Sequence, residues 1–169
     1  GNGRKDIIYG GAGNDVIYGG YGSDELHGGS GNDVLYGYAD DDAYYFDLGD
    51  GNDTINEEGV NSGADRVVFG KGIKPEDITV TRDGKDMVLL VGDKGDSLRI
   101  VNQFSSTYYQ IESFEFEDGT KLDKKAYLGA TITTTGSGKF SDPDDQATVT
   151  TILKGSDKDD EIYGNGRKD

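Results

Sequence analysis

The chain has 169 residues, a formal net charge of −16 at pH 7, a single histidine (His27) and no cysteine. That inventory excludes a zinc site built from cysteine and histidine. No basic patch offers itself to nucleic acid, and no run of roughly 18 apolar residues offers itself as a membrane-crossing helix. Of the 28 glycines, 14 fall at or before Gly51, so the composition changes there. Low hydrophobicity joined to high net charge predicts that the chain is loose or unfolded until cations neutralise it.

From the first residue the chain runs in units of nine. Gly1 to Tyr9 reads GNGRKDIIY, and Gly10 to Tyr36 reads GGAGNDVIY, GGYGSDELH, GGSGNDVLY. Gly37 to Tyr45 reads GYADDDAYY; Phe46 and Asp47 then interrupt the register before Leu48 to Asn56, LGDGNDTIN. The intact units share the pattern G-G-x-G-x-D-x-hydrophobic-x, a calcium-binding β-helix repeat. Glycine lets the loop bend through positive φ, so that bare carbonyls point toward an ion, and the sixth-position Asp adds a hard carboxylate oxygen. The three residues that follow form a strand too short to stand alone, whose middle residue points inward: Ile8, Ile17, Leu26, Leu35, Tyr44, Ile55.

Two nonapeptides per turn return the chain to the same side. Asp6, Asp24 and Asp42 are therefore expected on one edge, and Asp15, Asp33 and Asp53 on the other. The candidate ligands are these carboxylates and the loop carbonyls of Gly10, Ala12, Gly19, Tyr21, Gly28, Ser30, Gly37 and Ala39. Pairs of neighbouring loops would close about four internal calcium (Ca2+) sites. Loops with G-G-x-G are expected to bind best, and GNGRKD worst because Arg4 adds a positive charge. A flexible glycine linker would not repeat an aliphatic residue and an aspartate in lockstep. An EF-hand needs a twelve-residue loop between helices, which these β-forming flanks do not supply.

GGAGNDVIY, GGYGSDELH and GGSGNDVLY resemble the repeats-in-toxin (RTX) family of haemolysin-type calcium-binding proteins. The resemblance implies an all-β fold: a right-handed parallel β-roll holding calcium between successive turns, followed by a small antiparallel β capping region. It assigns ligand roles to Asp15, Asp24 and Asp33, and by extension to Asp6, Asp42 and Asp53. Tyr38, Ala39 and Asp40 depart from the family glycines. The resemblance also implies secretion by a Gram-negative bacterium through a type I secretion channel, hence an extracellular, secreted protein.

The roll is expected over residues 1–56, the cap over 57–128, a linker and strand region over 129–154, and the start of a next block over 155–169. Arg66 to Phe69 reads as a strand and Gly72 to Ile78 as one helical turn with Pro75 near its start. Thr79 to Arg82, Met87 to Val91 and Ser97 to Val101 read as strands joined by turns at Asp83-Gly84 and at Gly92 to Gly95. Met87, Leu89, Val91, Leu98 and Ile100 form one inward face. Phe104, Ile111, Phe114, Phe116 and Leu122 form a second cluster around the Asp118-Gly119 turn. The stretch Ala64 to Leu122 resembles the haemolysin-type related region that follows many RTX blocks. Lys124 to Leu128 reads as a brief helix and Ala147 to Leu153 as a strand. Asp142-Pro143, which in some RTX proteins marks self-cleavage, reads here as a turn.

Gly155 to Tyr163 is again a nonapeptide, with Asp160 at the ligand position, and residues 164–169 repeat residues 1–6 as GNGRKD. This predicts a piece of a longer tandem array. No catalytic set is legible: no serine lies in G-x-S-x-G, and the acid pairs are explained by the calcium ladder. The reading is a calcium-driven folding module of a secreted exoprotein, whether toxin, adhesin or extracellular enzyme, with no enzymatic activity of its own. The alternative is an adhesion module for a glycan or cell surface, using an aromatic column of Tyr9, Tyr18, Tyr36 and Tyr45. Same-face cross-strand packing also explains that column.

Overall fold

The computed structural model describes residues 3–58, 63–105 and 107–124, with the backbone of four short strands beyond them. The repeats form β1 (Ile7–Ala12), β2 (Val16–Tyr21), β3 (Glu25–Ser30), β4 (Val34–Ala39), β5 (Ala43–Phe46) and β6 (Asn52–Ile55). Alternate strands go to alternate sheets: β1, β3 and β5 pair in parallel in one, and β2, β4 and β6 in the other. The register stacks Ile8 on Leu26 on Tyr44, and Ile17 on Leu35 on Ile55. This is the expected all-β parallel roll with two nonapeptides per turn.

The first four strands are six residues long rather than the three read from sequence. The backbone of the next Gly-Gly-x also pairs between turns, as in Gly11 on Gly29 and Gly20 on Tyr38. Glycine has low strand propensity, which is why the sequence hides this half of the strand. Ile17, Leu26, Leu35, Tyr44 and Ile55 are buried as expected, while Ile8, in the first strand, is only half-buried.

The following residues extend both sheets. β7 (Arg66–Phe69) pairs in parallel with β5, β11 (Ser113–Glu115) in parallel with β7, and β12 (Lys121–Asp123) closes antiparallel on β11. On the other sheet β10 (Asp96–Ile100) pairs in parallel with β6, and β9 (Asp86–Val91) and β8 (Ile78–Asp83) follow antiparallel. Pro75–Asp77 forms one 3-10 turn. Met87, Leu89, Val91, Leu98 and Ile100 face inward together, and Ile111, Phe114 and Phe116 join the same core. The antiparallel cap is thus grafted by hydrogen bonds onto the roll's last strands, where a parallel roll would otherwise present open edges.

β13 (Ile132–Thr134) pairs in parallel with β8 and with β15 (Thr151–Leu153), and β14 (Lys139–Ser141) with β16 (Glu161–Tyr163). The helix expected after Lys124, the Asp142-Pro143 turn and Asp160 lie outside the described residues. No helix among the described residues is long and apolar enough to cross a membrane.

Candidate metal centre

The aspartates form two columns joined by backbone hydrogen bonds. In the first, the Asp6 N–H donates to Asp24 Oδ1, the Asp24 N–H to Asp42 Oδ1 and the Asp42 N–H to Asp65 Oδ1, each at 2.8 Å. The Asp65 N–H donates in turn to Glu112 Oε2 at 3.0 Å. In the second, the Asp15 N–H donates to Asp33 Oδ1 at 2.7 Å and the Asp33 N–H to Asp53 Oδ1 at 2.9 Å. One oxygen of Asp24, Asp42, Asp65, Asp33 and Asp53 is thereby fixed by the preceding turn.

The other oxygen has no protein partner. The Oδ2 atoms of Asp15, Asp24, Asp33, Asp42, Asp53 and Asp65 are buried and accept no hydrogen bond. Burying an unpaired carboxylate oxygen carries a heavy desolvation cost, and repeating it once per loop calls for a compensating cation. The glycine opening each loop shows where the space lies. A Cβ on Gly10 would stand 2.8 Å from Asp15 Oδ2 and 2.5 Å from the Gly28 carbonyl oxygen. On Gly19 it would stand 2.8 Å from Asp24 Oδ2 and 3.0 Å from the Gly37 carbonyl oxygen. Gly28 and Gly37 sit closer still to Asp33 Oδ2 and Asp42 Oδ2. The cradles at Gly10 and Gly19 bring together a carboxylate and a carbonyl from successive turns. This all-oxygen donor set suits calcium, with no soft ligand to favour zinc.

Burial and crowding of like charges push up the carboxyls nearest the cap. Desolvation, then the neighbouring carboxylates, raise Asp42 and Asp53 to about 7 from an ordinary 3.8. Asp65 rises to about 7 by burial and by the Glu112 charge, and burial raises Asp24 and Glu112 as well. Glu57, buried beside Asp65, rises to about 9. Without a counter-ion Asp42, Asp53 and Asp65 therefore hold protons near neutral pH.

Among the residues expected from sequence, Asp6, Asp24 and Asp42 share one column and Asp15, Asp33 and Asp53 the other. Gly10, Gly19, Gly28 and Gly37 lie beneath the carboxylate of their own loop. Ala12, Tyr21, Ser30 and Ala39 end the first four strands, and the Ser30 carbonyl accepts from the Gly13 N–H at 2.8 Å. The fifth loop keeps the backbone path without its glycines. Tyr38 adopts φ 80° and Asp40 φ 75°, as Gly29 (92°) and Gly11 (106°) do in their loops; for tyrosine that region is strained. Asp65 and Glu57 were not read as site residues. Asp65 had a signal, since D-R-V-V repeats the aspartate, spacer and inward apolar residue of the nonapeptide. Its phase had slipped, with 23 residues separating it from Asp42 where the column otherwise steps by 18.

The position-nine aromatics make two stacks rather than one column, because successive nonapeptides lie in different sheets. Tyr9, His27 and Tyr45 stack with centroids 4.4 and 4.1 Å apart, and Tyr18 stacks on Tyr36 at 5.0 Å.

Comparison with family models adds the decisive observation. The RTX calcium-binding nonapeptide repeat matches residues 1–35, 18–55 and 150–166. The chain belongs to the haemolysin-type RTX calcium-binding repeat family. The haemolysin-type calcium binding protein related domain matches residues 86–126. A comparison with curated proteins found no match. This RTX chain is a calcium-binding β-roll module, a structural repeat unit rather than a catalytic domain.

Proposed function

We propose that calcium drives the folding of this module, which serves as a folding and spacer unit of a bacterial exoprotein secreted through a type I channel. The observation that carries the reading is the set of six buried Oδ2 atoms without a partner. Asp15, Asp24, Asp33, Asp42 and Asp53 are assigned as carboxylate ligands, with the loop carbonyls, Gly28 and Gly37 foremost, completing each cradle. Asp6, at the start of its column and only half-buried, is assigned the weakest contribution. Bound calcium supplies the positive charge that the columns lack. The residues themselves hold the geometry: the Oδ1 atoms of Asp24, Asp33, Asp42 and Asp53 anchor the turn before them, and the loop glycines leave the space. A channel-threading route suits a chain that stays loose where free calcium is scarce and folds near ~10⁻³ M calcium outside the cell. The test is calorimetric titration of calcium into the EDTA-stripped chain. Several equivalents are expected, with magnesium a poor substitute because it demands tighter octahedral geometry and releases water reluctantly. No binding heat and no calcium retained on dialysis would overturn the reading.

A second reading has one observation in its favour. A cavity of about 740 Å³ lies between roll and cap, lined by Tyr21, Tyr38, Tyr109, Glu58 and Asn102 among others. Aromatic faces beside polar groups suit a glycan, so this module would then be an adhesion unit. A glycan array in calcium separates the two readings: selective binding lost in Tyr21→Ala supports adhesion, and an empty array removes it.

A further inference from the structure

At the seam between roll and cap, one oxygen each from Asp42, Glu57 and Asp65 lies within 4.8 Å of the other two. All three residues are buried, at 0%, 1% and 0% exposure. They come from different segments: Asp42 closes the fifth loop, Glu57 follows β6, and Asp65 precedes β7. Tyr44, on β5 and also buried, donates its phenol hydrogen to Glu57 Oε1. The phenol oxygen and Asp42 Oδ2 both crowd the space where a Cβ on Gly37 would stand, so they share one hollow.

The hollow lacks a counter-charge. Asp42 Oδ1 is taken by the Asp24 N–H and Asp65 Oδ1 by the Asp42 N–H, while both Oδ2 atoms are buried without a partner. Among the described residues no lysine or arginine forms an ion pair with any of the three; the nearby Arg66 pairs with Glu115 at 4.0 Å.

We propose that Asp42, Glu57, Asp65 and the Tyr44 phenol form a separate divalent-cation site that ties the last repeat to the cap. Glu57 and the phenol lie outside the aspartate columns, and Asp65 extends the first column past the last repeat. The donor set is all hard oxygen, which selects calcium or a similar ion. Three carboxylates converge here where a repeat loop supplies one, and affinity rises with ligand charge and rigidity. This site therefore fills first, and its ion draws the segment after β6 and the strand β7 onto β5 before the repeat loops load. The proposal rests on the calcium reading above.

The test is calorimetric calcium titration of the full chain, wild type against Glu57→Gln and Tyr44→Phe, with circular dichroism at saturating calcium to verify folding. Glu57→Gln keeps the side chain's shape. It is expected to weaken the tightest step by roughly tenfold or more, to lower the stoichiometry by one, and to leave the later steps unchanged. Tyr44→Phe keeps the buried ring, and weakening of the same first step is expected. It decides the matter if Glu57→Gln does not fold. A wild type that binds several calcium ions, with the first step unchanged in the folded variants, overturns this site while leaving the repeat reading intact. A wild type that binds none overturns both.

Discussion

β2, β3 and β4 each bury one large apolar side chain, Ile17, Leu26 and Leu35, whereas β9 alone buries Met87, Leu89 and Val91. Ordering the backbone costs roughly 1–2 kcal/mol per residue. Burying one leucine or isoleucine offsets only about 1.5–3 kcal/mol of that. A nine-residue repeat with one such side chain does not fold on apolar burial, and its buried unpaired carboxylate makes matters worse. The cap has alternating apolar residues on short hairpins and two phenylalanines, Phe114 and Phe116, against Phe69. The same two sheets are thus held by ions at one end and by a hydrophobic core at the other.

The largest expected effect comes from separating the two ends. Residues 1–56 alone lose the partners that β7 gives β5 and β10 gives β6. Calcium is expected to induce little β-structure in that piece and full structure in residues 1–122, read by far-UV circular dichroism; equal spectra would refute the dependence. Phe114→Ala comes next. A loss of about 3–5 kcal/mol is expected both in EDTA, where residual cap structure can be melted, and in calcium.

The aspartate substitutions sharpen the contrast, because their effect is expected only when calcium is present. Asp24→Ala is expected to remove up to ~2.7 kcal/mol at calcium one hundred times the site's dissociation constant, and Asp6→Ala clearly less. Equal losses in titration calorimetry would sink that ranking. The smallest effect is that of pH. Asp42 and Asp53 hold their protons to about 7 in the fold but only to the ordinary 3.8 when unfolded. Their contribution to metal-free stability is complete below 3.8 and is lost as pH rises through about 7. In EDTA any residual β-structure is expected to be greater at pH 5 than at pH 8, read by far-UV circular dichroism. Calcium must displace those protons, so its affinity is expected to rise over the same window. A metal-free stability that rises with pH would contradict the burial of these groups.

Much of this contrast is legible in the sequence. The nine-residue period places both aspartate columns and the inward Leu26 and Leu35 directly, because loop and strand recur in lockstep. The hairpins of the cap show through alternation and through Asp83-Gly84. What stays hidden is set by long-range pairing. Gly-Gly-x does not read as strand until a neighbouring turn pairs with it. Asp65 is masked by an irregular step of 23 residues. Glu57 reads as one more acid in a turn, since its approach to Tyr44 and Asp65 follows only once β7 docks on β5. The single aromatic column fails for a related reason: a periodic sequence does not say that alternate repeats lie in different sheets until the turn closes.

The central claim is that the roll folds because cations occupy its carboxylate columns. Far-UV circular dichroism of the whole chain at fixed ionic strength, in EDTA, in millimolar magnesium and in millimolar calcium, tests it most directly. The account predicts a β spectrum with a cooperative melt of the roll in calcium alone. A chain fully folded in EDTA, whose melting temperature does not move when calcium is added, would contradict it.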